Sequence, residues 1–153
     1  MSRFLVTKTY GHELGLSCAF RQWRAASHCR QLHGYALSFK FVFEANGLDA
    51  NGWVIDFGAL GPLKEVLKKT FDHTVAVAGD DPGIKHFEQL QEAKIANVIL
   101  FPSGVGCEKF AKYAYWTASG ILSELALRNT PRVISCEVAE HGANSAIYFG
   151  GKE

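Results

Sequence analysis

The stretch "SHCRQLHGY", residues 27–35, brings His28, Cys29 and His33 together and then runs into an alternating segment. Imidazole and thiolate groups at such spacing can bind a metal, take up a proton or attack as nucleophiles. His12 closes "RFLVTKTYGH" and has the same parity in its segment as His33 has in the next. Two histidines at the ends of paired strands can share a metal, or can be satisfied, half-buried imidazoles. His28 taken alone reads as a surface histidine. Cys29 is either a low-pKa base or nucleophile beside an imidazole, or a small buried hydrophobe.

Asp72-His73 closes the segment "KKTFDH". A carboxylate beside an imidazole can orient it as a base, but adjacent residues face opposite ways on a flat strand, so the helix end must bend. Otherwise His73 is a helix-terminal imidazole favoured by the macrodipole. Glu140 shares parity with Ile134, Cys136 and Val138. A carboxylate on that apolar side needs a partner, either an Arg or the paired N–H groups of a guanidine-like ligand. Glu108 opens a long helical segment, where capping alone accounts for it.

The elements that must position these groups are legible as hydrophobic periods. Phe4, Val6, Lys8 and Tyr10 mark a first strand within 3–12, and Tyr35, Leu37, Phe39, Phe41 and Phe43 a second over 35–45. Leu60, Leu63, Val66, Leu67 and Phe71 follow a helical period after the Asn51-Gly52 turn. Asp81-Pro82 reads as a helix cap before Ile84, Phe87 and Leu90. "NVILF", 97–101, is a short strand or a buried connector. Phe110, Tyr113, Thr117, Ile121 and Leu125 mark a helix over 106–127, and 132–140 and 144–150 form a hairpin across Gly142. The order ββααββ predicts an α+β domain over 1–153, a four-stranded antiparallel sheet with helices on one face and two open edges that invite assembly.

The chain has 153 residues, 48% hydrophobic and 20% charged, with 16 basic against 15 acidic side chains. That supports one well-packed domain and gives no broad nucleic-acid or membrane surface. No apolar run spans a bilayer and the start lacks an export leader, so a cytoplasmic location is expected. Cys18, Cys29, Cys107 and Cys136 show no paired-cysteine spacing and are expected as free thiols.

Five stretches in order resemble the 6-pyruvoyl-tetrahydropterin synthase and 6-carboxytetrahydropterin synthase family. "CRQLHGY" looks like its Cys-x-x-x-His-Gly-His stretch, and "GWVIDFGALGPLK" like its Gly-Trp/Met-Val-x-Asp-Phe entry to the first helix. "FDHTVAV" resembles its Leu-Asp-His motif, "FPSGVGCEKFAKYAY" its Pro-Thr-Ser-Glu helix start, and "EVAEHGANSAIY" its closing hairpin.

The resemblance implies the tunnelling fold, assembled as an oligomeric barrel. It implies a lyase acting on 7,8-dihydroneopterin triphosphate, of the carboxy branch that leads to queuosine and other 7-deazaguanines, with the pyruvoyl product or a non-catalytic pterin binder as alternatives. By the same resemblance Cys29 is the general base, Asp72 and His73 complete its proton relay, and Glu140, with Glu108 near it, binds the pterin. Active sites of the family lie between subunits, so a homo-oligomer, a hexamer, is expected.

The family holds zinc with three histidines, one ending the first strand and two in His-x-His. In this chain "HGY" puts Tyr35 at the last position. The first falls on His12 or on Phe20 of "SCAF", and strand parity favours His12. A rebuilt zinc or other divalent-metal site of His12, His28 and His33 is the expectation, and a weakened or lost site the competing one.

Overall fold

The computed structural model describes residues 3–151. The ends of the expected domain, residues 1–2 and 152–153, lie outside the described residues. Strand β3, His33–Ala45, is the backbone of the fold. Its alternation buries Leu37, Phe39, Phe41 and Phe43 completely and leaves Lys40 in solvent. Strand β1, Phe4–Tyr10, pairs antiparallel with the second half of β3, from Tyr10 opposite Phe39 to Phe4 opposite Ala45. On the other edge of β3 lies β6, Arg132–His141, followed by β7, Asn144–Phe149, both antiparallel. These four strands form the antiparallel sheet that the hydrophobic alternation predicts.

Three more strands enlarge it. After β1 the chain makes a short 3-10 turn, His12–Leu14, closed by Gly15 at φ +73°. It then re-enters the sheet as β2, Leu16–Phe20, along the first half of β3, with Leu16 opposite Leu37 and Phe20 opposite His33. The two glycines around the turn hide β2 from any long-window reading, although Leu16, Cys18 and Phe20 alternate and are all buried. Strand β4, Thr74–Ala78, runs parallel to β2, and β5, Val98–Phe101, parallel to β4. The full order is β5–β4–β2–β3–β6–β7, with β1 sharing an edge of β3 with β2. Parallel strands covered on both faces lose the in–out alternation. "TVAVA" accordingly reads as a plain small-residue run.

Helix α1, Gly61–Phe71, buries Leu63, Leu67 and Phe71, as its period requires. In α2, Ile84–Glu92, Phe87 alone is buried. Asp81 is not the cap of α2, since Gly83 holds that position. Helix α3, Cys107–Leu125, packs on β6 and β7 and buries Phe110, Ala111, Ala114, Tyr115, Ala118 and Leu122. This face is rotated from the one expected through Tyr113 and Thr117, because the small alanines let the helix sit close to the sheet. No helix among the described residues is long and apolar enough to cross a membrane.

A cluster of rings joins the layers. Phe71 lies 4.8 Å from Phe39 and 5.1 Å from Phe110 between centroids, and Phe110 in turn meets Phe20 edge-on at 5.2 Å. Such contacts add to the area each ring removes from water.

The loop between β2 and β3 is fastened to the turn before α2. Arg21 donates from Nε and Nη2 to the two oxygens of Asp81, at 2.8 and 2.5 Å, and the Gly83 N–H donates to Asp81 Oδ1 at 2.7 Å. Asp81 is 4% exposed. The Arg21 hydrogen bond outweighs burial and holds its carboxyl below the usual range. Arg21→Ala would leave a buried carboxylate with a single backbone donor, at a cost of about 3 kcal/mol. Thermal melts at pH 7 should show a drop of roughly 6–12 °C. A depressed carboxyl contributes stability above its unfolded pKa and loses it as pH falls through the folded value. The gap between variant and wild type should therefore narrow in acid, below the ordinary carboxylate range. An unchanged gap there would contradict this ion pair as its source.

Candidate functional site

The chemistry-bearing residues meet where β2, β3 and β6 end beside the start of α3. His33 and Tyr35 lie on the same face of β3, both half-buried. Gly34 between them is set by the neighbouring strand: a Cβ there would approach the Cys18 carbonyl oxygen at 3.0 Å and Ala19 Cα at 3.2 Å. The His33 ring stands 5.3 Å from Phe20 and 5.5 Å from Tyr35, nearly perpendicular to the latter at 89°. Tyr35 also faces His141 at 6.0 Å.

Cys29 sits in a 3-10 turn, His28–Arg30, whose cap is Ser27 Oγ accepting from the Cys29 N–H at 3.4 Å. The loop is tied back by the Gln22 N–H donating to the Cys29 carbonyl at 2.9 Å and by Gln22 Nε2 donating to the Val105 carbonyl at 3.0 Å. Cys29 is half-buried. Burial first, then the charges of Glu140, Cys29 and Cys107, push the Tyr35 phenol up. Tyr35 therefore stays protonated and can donate.

Glu140 occupies a place where the β6–β7 ladder slips, between Ala139 and His141. A bulge of this kind turns a side chain out of the regular alternation. Glu140 is half-exposed rather than buried, and none of the ion pairs among the described residues uses it. The partner expected for it is thus not an arginine of this chain, and the carboxylate stays available to a ligand.

Cys107, expected as a free thiol, is the buried first residue of α3. Burial, followed by the Glu140 and Glu108 carboxylates, raises its thiol to about 12, against the lowering effect of a hydrogen bond from the Glu140 backbone. Glu108 is exposed in the first turn of α3.

Asp72 and His73 end α1 as a bent pair. His73 adopts a left-handed φ of +56°, which turns its ring back so that Nδ1 meets Asp72 Oδ1 at 2.6 Å. A non-glycine residue rarely takes this backbone region, and holding it there has a cost. The His73 side chain is 86% exposed. The pair is not hydrogen-bonded to Cys29 of its own chain and presents the imidazole outward.

The expected three-histidine metal site does not form. His12 lies in the turn before β2 with Nδ1 donating to the Ala36 carbonyl at 2.6 Å. His28 is exposed on the Cys29 turn and lines a separate cavity with Arg21, Arg30 and His86. His33 stands against Phe20. Among the described residues, no three His, Cys, Asp or Glu side chains could hold a metal ion together. The cause is β2: the strand that ends opposite His33 is Leu16–Phe20, not β1. On this pairing the first position of the resembled set falls on Phe20, the alternative to His12, beside His33 and Tyr35. A phenyl, an imidazole and a phenol do not make the three N, O or S donors that a catalytic zinc needs. These residues do not fit the ion.

A family model described as 6-pyruvoyl tetrahydropterin synthase matches residues 11–151. The chain is similar in structure to an uncharacterized protein from Wolinella succinogenes, with TM-score 0.82 and 16% identity over 99% of this chain and 100% of that one. It is similar also to the Plasmodium falciparum 6-pyruvoyl tetrahydropterin synthase, with TM-score 0.70 and 16% identity over 97% and 98% of the two chains. The Caenorhabditis elegans 6-pyruvoyl tetrahydropterin synthase gives TM-score 0.59 and 15% identity over 98% and 96%. No curated protein sequence matches the chain. At these identities the structural matches establish the fold, and that fold is the tunnelling fold expected from the sequence. With the family match over most of its length, the chain belongs to the 6-pyruvoyl tetrahydropterin synthase family.

Proposed function

We propose that this protein is a lyase acting on the side chain of 7,8-dihydroneopterin triphosphate, in the carboxy branch that leads to 7-deazaguanines such as queuosine. The observation that carries this reading is the end of β3, where the Cys29 turn enters the strand, Tyr35 meets His33 and His141, and Glu140 stands on the adjoining slip of β6 without an ion-pair partner among the described residues. The Glu140 carboxylate accepts two N–H groups from the aminopyrimidine edge, a charge-assisted, bidentate grip. Cys29 takes the side-chain proton next to the ring, and the electron pair moves into the C6=N5 imine, whose nitrogen is protonated. The resulting enol passes its hydroxyl proton to C6, which gives the first ketone. Loss of the proton one carbon further then expels triphosphate with the electron pair of its C–O bond, and the enol left behind takes a proton at its terminal carbon to become the second ketone. Water then adds to the resulting dicarbonyl and splits its C–C bond, giving the 6-carboxylate and acetaldehyde.

The exposed Asp72–His73 pair serves Cys29 of a neighbouring copy in this reading, so the protein works as a homo-oligomer, a hexamer in the expected arrangement. Exposed Phe4 and Leu5 on the free edge of β1, and Ile147 and Phe149 on the free edge of β7, suit a sheet continued through further copies.

A second reading, a non-catalytic pterin-binding homologue, is favoured by Phe20 and Tyr35 at the metal positions. Cys29 speaks against it, because a pure binder needs no thiol beside the ligand's side chain. Acetaldehyde and triphosphate release separate the readings. One acetaldehyde per triphosphate is expected. Triphosphate without acetaldehyde would move the assignment to the pyruvoyl product, and release of neither would support the binder.

A further inference from the structure

Phe20 ends β2 pointing into the ring cluster, 1% exposed and edge-on to Phe110. It offers no lone pair, and its size fills the space between that core and His33. What remains at this surface is two polar atoms of opposite character. His33 Nδ1 lies 2.7 Å from the Gln31 carbonyl. A carbonyl only accepts, so Nδ1 carries the hydrogen, and Nε2 of the neutral ring presents a lone pair. No hydrogen bond among the described residues is found at the Tyr35 hydroxyl, whose shift arises from burial and from neighbouring charges alone. The two rings lie two residues apart on one face of β3, 5.5 Å between centroids and at 89° to each other.

A donor and an acceptor set side by side match a vicinal diol, in which each hydroxyl can give one hydrogen bond and take another. We propose that His33 and Tyr35 form a metal-independent clamp for the vicinal diol of the ligand's side chain: one hydroxyl donates to His33 Nε2 and the next accepts from the Tyr35 hydroxyl. The proposal rests on the pterin reading above and needs no metal ion. The groups facing the clamp are Cys29, Cys107, Glu140 and His141, and none of them completes a three-donor metal set with His33. The dihydropterin's own C6=N5 imine acidifies the adjacent C–H, so proton loss does not require a Lewis acid.

The test uses the full-length protein after exhaustive chelation, with residual zinc measured by plasma mass spectrometry. Calorimetric titrations compare 7,8-dihydroneopterin, which carries the diol, with 6-methyl-7,8-dihydropterin, which does not. The diol ligand is expected to bind at least about ten-fold more tightly with zinc far below one ion per chain. Tyr35→Phe and His33→Phe should each reduce that preference about five- to ten-fold, the worth of one hydrogen bond, and leave 6-methyl-7,8-dihydropterin binding unchanged. Equal binding of the two pterins would overturn the clamp and leave the pterin reading standing. A preference that appears only on adding zinc, or that survives both substitutions, would likewise overturn it. Failure of both pterins to bind would remove the pterin reading and the clamp together.

Discussion

Cys29→Ala is expected to reduce turnover of 7,8-dihydroneopterin triphosphate by about a thousand-fold, within the range of about 10²–10⁴ that a positioned base contributes. Pterin affinity should change less than about three-fold, because the grip on the ring belongs to Glu140. The thiol sits in a capped turn on a loop fastened by Gln22 and by Arg21–Asp81, and none of those contacts uses the Cys29 sulfur. The variant should therefore melt within a degree or two of wild type. Steady-state rates and titrations on the same preparation check both halves of the expectation. Turnover equal to wild type would remove Cys29 from the chemistry. A parallel loss of affinity would instead make it a binding residue.

Glu140→Ala should weaken binding of 7,8-dihydroneopterin about 100-fold or more, since two charge-assisted hydrogen bonds to one carboxylate are lost together. Glu140→Gln keeps one accepting oxygen and should fall between the two. Stability should not suffer, because Glu140 has no ion-pair partner among the described residues and its strand is already bulged at that point. Glu44 provides the contrast within the same fold. It is 2% exposed and held by Arg3 at 2.8 Å and by Arg132, so removing it should unfold the protein more readily without touching the ligand. A Glu140 variant that loses stability rather than affinity would contradict its role as the pterin's anchor.

The sequence carried the elements whose periods are long and one-sided. Thirteen residues of β3 alternate almost without fault, and α1 repeats its apolar face through Leu63, Leu67 and Phe71. The bend at Asp72-His73 was readable too, because two adjacent side chains can cooperate only where the backbone turns, and φ of His73 shows that turn. Short elements were not readable in the same way. The five residues of β2 stand between a 3-10 turn and a long loop, and their alternation is too brief to distinguish a strand from a connector. The metal-site expectation failed with it. Without β2, the strand end nearest to His33 is that of β1, and His12 takes the place that Phe20 holds. Glu140 was found on the right strand, but the ladder slip that exposes it depends on the pairing with β7, which a single strand's pattern does not encode.

The most direct test of the lyase assignment is a product mass spectrum after the purified protein meets 7,8-dihydroneopterin triphosphate, run in parallel with Cys29→Ala. The mass of 6-carboxytetrahydropterin is expected from the wild-type protein, and unconverted substrate from the variant. Unconverted substrate from both, with divalent metal supplied in a second arm, would contradict the assignment and leave a pterin-binding member of the family in place of an enzyme.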